Sequence, residues 1–119
     1  MSERTDWNKP DFAREPFMAM VWVLSPDTRQ RLVVKIALGA TRVRELAEEL
    51  GLPTSTVRAN LRALESVQIV TKSGKGARTS YGLGEGVSAF TTDTEVVIHL
   101  KPPGGGSLEL GQPLGWLCE

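Results

Sequence analysis

A chain of 119 residues, 40% apolar and 24% charged, has the size and composition of one soluble globular domain with short extensions. The length argues against a two-domain enzyme and the composition against disorder throughout. Fourteen Lys and Arg balance fourteen Asp and Glu, so the whole-chain charge of zero gives no sign of a polyanionic partner.

That balance hides a segregation. Residues 1–27 hold three bases and five acids, residues 28–83 ten bases and four acids, and residues 84–119 one base and five acids. The basic middle is where a nucleic-acid-binding element is to be sought. The longest apolar run, Phe17 to Leu24, covers 8 residues, against the roughly 20 of a membrane span. The first residues mix charges without a secretory pattern, so the expected location is cytoplasmic and no membrane partner is expected. A single cysteine, Cys118, rules out an intrachain disulfide framework.

Residues 1–15 are polar, contain Pro10 and show no period, and read as an arm ahead of a domain spanning 16–86. Phe17 to Leu24 is too apolar for a half-exposed helix unless it packs on two sides or against a second subunit, which makes it the candidate homodimer surface. Ser25-Pro26-Asp27 offers an N-cap, a proline at the first helical position and an acid near the positive helix end. A helix is expected from there to about Leu38. Leu32, Val33, Ile36 and Ala37 would be buried and Arg29, Gln30 and Arg31 wet, with Gly39 as the stop.

Thr41 reads as the cap of the next helix, in which Val43, Leu46, Ala47 and Leu50 recur at i, i+3, i+4 and i+7. Gly51 ends it, and Leu52-Pro53 forms a turn leading to a further helix capped by Thr54. The apolar positions of that helix are Val57, Leu61 and Leu64. At about 100° per residue Ser55, Arg58, Ala59 and Arg62 project from the other side. Ile69 to Lys72 and Thr79 to Leu83 then read as strands of a hairpin whose connection, Ser73 to Arg78, is basic. Gly84 and Gly86 break the chain. Thr94 to Leu100 has the β-branched content of another strand, Pro102 to Ser107 reads as a linker, and Leu108 to Leu117 as an apolar tail that must dock or move freely. Residues 87–119 therefore form a β-rich extension.

Two helices joined by a short turn and followed by a basic hairpin are the parts of a winged helix-turn-helix, an α+β fold. The second helix would present its outer face to a major groove about 12 Å wide. Ser55, Thr56 and Ala59 are small enough for close backbone approach, and Thr54 and Ser55 can hydrogen-bond phosphate near the positive helix end. Arg58, Asn60 and Arg62 can reach base edges or phosphate, arginine suiting guanine and asparagine adenine. Between Thr54 and Arg62 no acid occurs. Lys75 and Arg78 of the hairpin tip are the candidate phosphate contacts.

Trp22 to Leu83 resembles the winged-helix domain of the ArsR-type bacterial and archaeal transcription regulators. Ser25-Pro26-Asp27-Thr28-Arg29 is similar to that family's helix start with one residue inserted. Val43-Arg-Glu-Leu-Ala-Glu-Glu-Leu-Gly-Leu52 is similar to its first helix-turn-helix helix. Ser55-Thr56-Val57 with Leu61, Leu64, Glu65, Ile69 and Val70 resembles its recognition helix, and Gly76-Ala77-Arg78 with Tyr81 and Leu83 its wing. The resemblance implies DNA contacts on Thr54, Ser55, Thr56, Arg58, Asn60 and Arg78, whereas the angular argument selects Ser55, Arg58, Ala59 and Arg62.

The cysteine pairs and histidine–acid clusters of metal-sensing relatives do not occur here, and His99 and Cys118 have no ligand spacing. No metal site, cofactor or catalytic group is expected. Ser73-Gly74-Lys75-Gly76 lacks the remaining residues of a phosphate-binding loop. The function expected is that of a non-enzymatic, sequence-specific regulator of transcription, a homodimeric repressor that inserts about Ser55 to Ser66 in the major groove. The alternative is a winged-helix protein-interaction or assembly module.

Overall fold

The computed structural model describes residue 11, residues 14–101 and residues 106–118, the last two by backbone alone. Most of the expected N-terminal arm, Pro102 to Gly105 of the expected linker, and the side chains of Leu117 and Cys118 therefore lie outside the described residues. Four helices, α1 (Pro16–Leu24), α2 (Asp27–Ala37), α3 (Val43–Leu50) and α4 (Thr54–Ser66), precede five strands. Strands β1 (Val70–Ser73) and β2 (Ser80–Leu83) make an antiparallel hairpin. Strands β3 (Val87–Thr91), β4 (Glu95–Leu100) and β5 (Leu108–Pro113) make a separate antiparallel sheet in that order, followed by a 3₁₀ turn, Leu114–Cys118. None of the described helices is long and apolar enough to cross a membrane.

The helix starts differ from the sequence expectation by one residue or more. Pro26 and Pro53, with extended backbone at ψ 138° and 148°, occupy the cap positions of α2 and α4, so Asp27 and Thr54 are the first helical residues. Ser25 does not cap α2; its hydroxyl donates to the Val21 carbonyl at 2.8 Å. Thr41 does not cap α3 either. The Glu45 carboxylate turns back to accept the amides of Thr41 and Arg42, each at 3.2 Å, which leaves Val43 as the first helical residue.

The apolar run of α1 divides as its richness demands. Ala19, Met20, Val23 and Leu24 are buried, while Met18 and Trp22, one turn apart, remain 51% and 39% exposed. The inward faces of α3 and α4 follow the expected stripes, with Leu46, Ala47, Val57, Leu61 and Leu64 buried and Val43 and Leu50 packed at the margin. Gly51, at φ +65°, supplies the left-handed residue that stops α3.

Helix α2 departs from its expected burial because it is covered on more than one side. It packs against α1, α3 and α4 and also against β2, β3 and β4. Val34 and Gln30 are buried and Ala37 is exposed, contrary to the stripe read from the sequence. Arg29 and Arg31, expected in water, are half-buried and bonded. Buried Gln30 donates to the Ser25 carbonyl at 3.1 Å and accepts from the Gln112 amide of β5 at 3.1 Å. Its cost of burial is offset by both bonds.

The extension shares the core of the helices. In β4, Val96, Ile98 and Leu100 point inward beside Val87 of β3, and Leu108 and Leu110 of β5 pack at the edge of the same cluster. Trp116, 7% exposed, closes this side. Its indole N–H donates to Asp27 Oδ1 at 2.5 Å, its ring lies 4.6 Å from the Arg31 guanidinium, and its carbonyl accepts from Arg31 at 2.5 Å. Arg31 also pairs with Asp27 at 2.6 Å. The apolar tail is therefore docked, through a strand and an aromatic anchor. Gly84, which joins hairpin to sheet, is indispensable to the close crossing: a Cβ there would stand 2.0 Å from the Gln68 carbonyl oxygen.

Candidate nucleic-acid interface

The outer side of α4 is built by the same period that buries its inner side. With Val57, Leu61 and Leu64 at or near zero exposure, Thr54, Ser55, Arg58, Ala59 and Arg62 are all exposed. These include every position selected by the angular argument. None of them is covered by the described end segments.

The hairpin stands beside this face and is tied to α3. The Tyr81 amide donates to the Thr41 carbonyl at 2.8 Å, and Arg42 Nη1 donates to the Ala77 carbonyl of the hairpin tip at 2.9 Å. The tip is a single 3₁₀ turn, Gly76–Arg78, entered through Gly74 at φ +82°, where a Cβ would stand 2.2 Å from the Arg78 carbonyl oxygen. Lys75 and Arg78 are exposed on it.

Between α4, the start of α3 and the hairpin lies a cleft of about 750 Å³. Arg42, Arg44, Arg58, Arg62 and Lys72 line it, with Glu65 the only acid among the lining residues. Arg42, Arg44 and Lys72 carry no candidate role in the sequence reading. Arg44 and Lys72 were visible there only as members of the basic middle, and nothing local showed that they would converge with Arg58 and Arg62. Lys75 and Arg78 are not among the lining residues; they stand on the tip, outside the cleft.

Thr56 and Asn60 behave differently from their neighbours. Both are half-buried. Asn60 lies on the flank of α4 that faces α2: its Oδ1 accepts from Arg29 Nε at 3.0 Å and its amide donates to the Thr56 carbonyl at 2.9 Å. Arg29 in turn donates from Nη1 to the Val23 carbonyl at the end of α1, at 3.0 Å. The asparagine that the resemblance offers to adenine is thus engaged inside the protein.

Among the described residues, no group of three or more His, Cys, Asp or Glu side chains is arranged to hold a metal ion. His99 is half-buried on β4, opposite Ser88 and Glu109 of the neighbouring strands.

The match to a known family falls on the same region. Residues 26–72 match the family described as bacterial regulatory protein, arsR family. A solved structure from Mycobacterium bovis, the homodimeric winged helix-turn-helix DNA-binding domain (fragment 1–100) of a possible ArsR-family transcriptional regulator, superposes with a TM-score of 0.55. It is 24% identical, and the match covers 65% of this chain and 74% of that one. No curated protein matches the chain. The likeness to the solved structure is one of fold, a winged helix-turn-helix.

Proposed function

We propose, from the match of residues 26–72 to the arsR family of bacterial regulatory proteins, a non-enzymatic, sequence-specific regulator that binds double-stranded DNA. Helix α4 enters the major groove with Ser55, Arg58, Ala59 and Arg62, while the Thr54 and Ser55 hydroxyls at its positive end donate hydrogen bonds to phosphate. The wing follows the backbone with Lys75 and Arg78. Repression by occlusion of a promoter is the simplest consequence. The observation that carries this reading is the exposed, acid-free stretch of α4 opening onto a cleft lined by five cations.

A homodimer fits the same reading, since exposed Met18 and Trp22 of α1 place two large apolar side chains on one helix face. Two recognition helices would then read half-sites about one helical turn apart. The relative from Mycobacterium bovis is homodimeric.

The test is selection from a random duplex pool, followed by a salt titration of the enriched sequence. Enrichment of one motif, with affinity that falls as salt rises, is the expected result. A pool that shows no enrichment over competitor, or an Arg58→Ala/Arg62→Ala protein that keeps wild-type affinity and preference, overturns the groove reading and leaves the protein-interaction module in its place.

A further inference from the structure

Helix α4 is held to the body of the protein by Val57, Leu61 and Leu64, all at 0% exposure. Apolar contacts of this kind are strong but non-directional, so they resist lifting of the helix more than rolling about its axis. Groove reading is sensitive to that roll, because it decides which side chains point at base edges. A directional bond on the flank of the helix sets it.

The Asn60 side chain is so placed. It lies roughly 140° around the helix from Ser55, at about 100° per residue, and it faces α2 rather than the cleft. Its carbonyl oxygen receives Arg29 Nε at 3.0 Å while its own amide is spent on the Thr56 carbonyl at 2.9 Å. The guanidinium is fixed at its other end by the Val23 carbonyl at 3.0 Å, one of the backbone acceptors that the end of α1 leaves unsatisfied. One arginine thus connects the end of α1, its own helix and the flank of α4.

We infer that the Arg29–Asn60 pair is a strut that sets the rotation of α4, and with it the base preference of Arg58 and Arg62, and that Asn60 is a positioning residue and not a base-reading one. The inference rests on the groove reading proposed above, and it runs against what the sequence alone offers for Asn60. A base-reading asparagine and a strut asparagine differ in what replaces them. A carboxylate in the groove faces phosphates and is repelled, whereas a carboxylate facing Arg29 keeps the acceptor and gains an ionic partner.

The experiment compares Asn60→Ala, Asn60→Asp and Arg29→Leu in full-length protein, at a temperature where each is folded by circular dichroism. Two quantities are read: the ratio of affinities for the selected duplex and a scrambled one, and the hydrogen-exchange protection of the α4 amides. Asn60→Ala and Arg29→Leu should each lower the affinity ratio about five- to tenfold, the lower range for a misaligned bidentate base contact, and should lower α4 protection. Asn60→Asp should keep the ratio within about twofold, because the conservative replacement rescues a strut.

A fall in the ratio for Asn60→Asp at least as large as that for Asn60→Ala would overturn the inference, and so would an unchanged ratio in Asn60→Ala. The exchange measurement separates this failure from failure of the functional reading. If the wild type selects no duplex, the DNA reading falls, and the base-preference role of the strut falls with it. If α4 protection is unaffected by both Asn60→Ala and Arg29→Leu, the strut falls whether or not the protein binds DNA.

Discussion

The helix-turn-helix with its wing and the C-terminal sheet with its closing turn are opposite in charge, and they differ in what holds them. Residues 28–83 carry ten bases and four acids, and residues 84–119 one base and five acids. In the first region the cations Arg58 and Arg62 project outward from a short, locally determined helix. In the second, Val96, Ile98, Leu100 and Trp116 point inward and complete a core begun 60 residues or more earlier in the chain. The zero overall charge thus arises from a basic middle, an acidic extension whose inner side supplies stability, and the acidic excess of residues 1–27. Both stretches contribute to one continuous core, and only the first carries the exposed cations on which the proposed binding rests.

The largest expected effect tests that division directly. Trp116→Ala removes a buried indole, its bond to Asp27 and its ring from Arg31, and should cost about 3–5 kcal/mol of stability. Because the core is shared, the loss should appear in urea as a lower midpoint of one transition reported identically by far-UV dichroism of the helices and by hydrogen exchange of the β4 amides. Two separated transitions, with the helical one unmoved, would show the sheet to be an appendage.

The converse substitution lies on the outer face of α4. Arg58→Ala should weaken binding to the selected duplex by about 1–3 kcal/mol if it makes a bidentate base contact, yet leave stability within about 0.5 kcal/mol, as befits an exposed site. Isothermal titration and thermal melting on the same sample check both halves. On the wing the expectation is smaller and of another kind. Arg78→Ala should reduce the slope of log affinity against log salt by about one, with sequence preference retained. A change of preferred sequence would place Arg78 among the base-reading groups.

The two regions also differ in how legible they are. The stripes of α3 and α4, the left-handed Gly51 and the glycine-rich wing tip are local signals, each set by residues within one or two turns of one another, and they can be read from the chain itself. The burial of Arg29, Gln30 and Arg31 cannot, because their partners lie far off in sequence: Asn60 31 residues on, Gln112 82 and Trp116 85. The same distance explains Asn60, whose chemistry suits adenine but whose position around α4 gives it to Arg29. Strand β3 is missed for a different reason. Val87-Ser-Ala-Phe-Thr91 is flanked by Gly84 and Gly86, which read as a break, although Gly86 accepts from the Lys101 amide at 2.7 Å and opens the sheet. Its alternation, Val87 and Ala89 inward against Ser88 and Phe90 outward, is short and has only one strongly apolar inward residue.

The smallest effect concerns the junction between the regions. Asp27 opens α2 and holds Arg31 and Trp116. The hydrogen bond from Arg31, and then that from Trp116, draw its carboxyl below the ordinary value of 3.8, with partial burial opposing them and the Arg31 charge adding to the fall. A carboxyl depressed on folding binds its proton less readily than in the unfolded chain, so its stabilising share is present above the unfolded value and is lost as pH falls through the folded one. Asp27 is 57% exposed at its side chain, so solvent screens the pair and the share is of the order of a surface ion pair, below about 1 kcal/mol. Asp27→Asn should accordingly melt below the wild type at pH 5 to 7, and the gap should close as pH is lowered past 3.8. A gap that stays constant into acid would mean that the clamp on α2 is held by indole packing alone, leaving the charge at the helix start without a part in joining the acidic extension to the helical half.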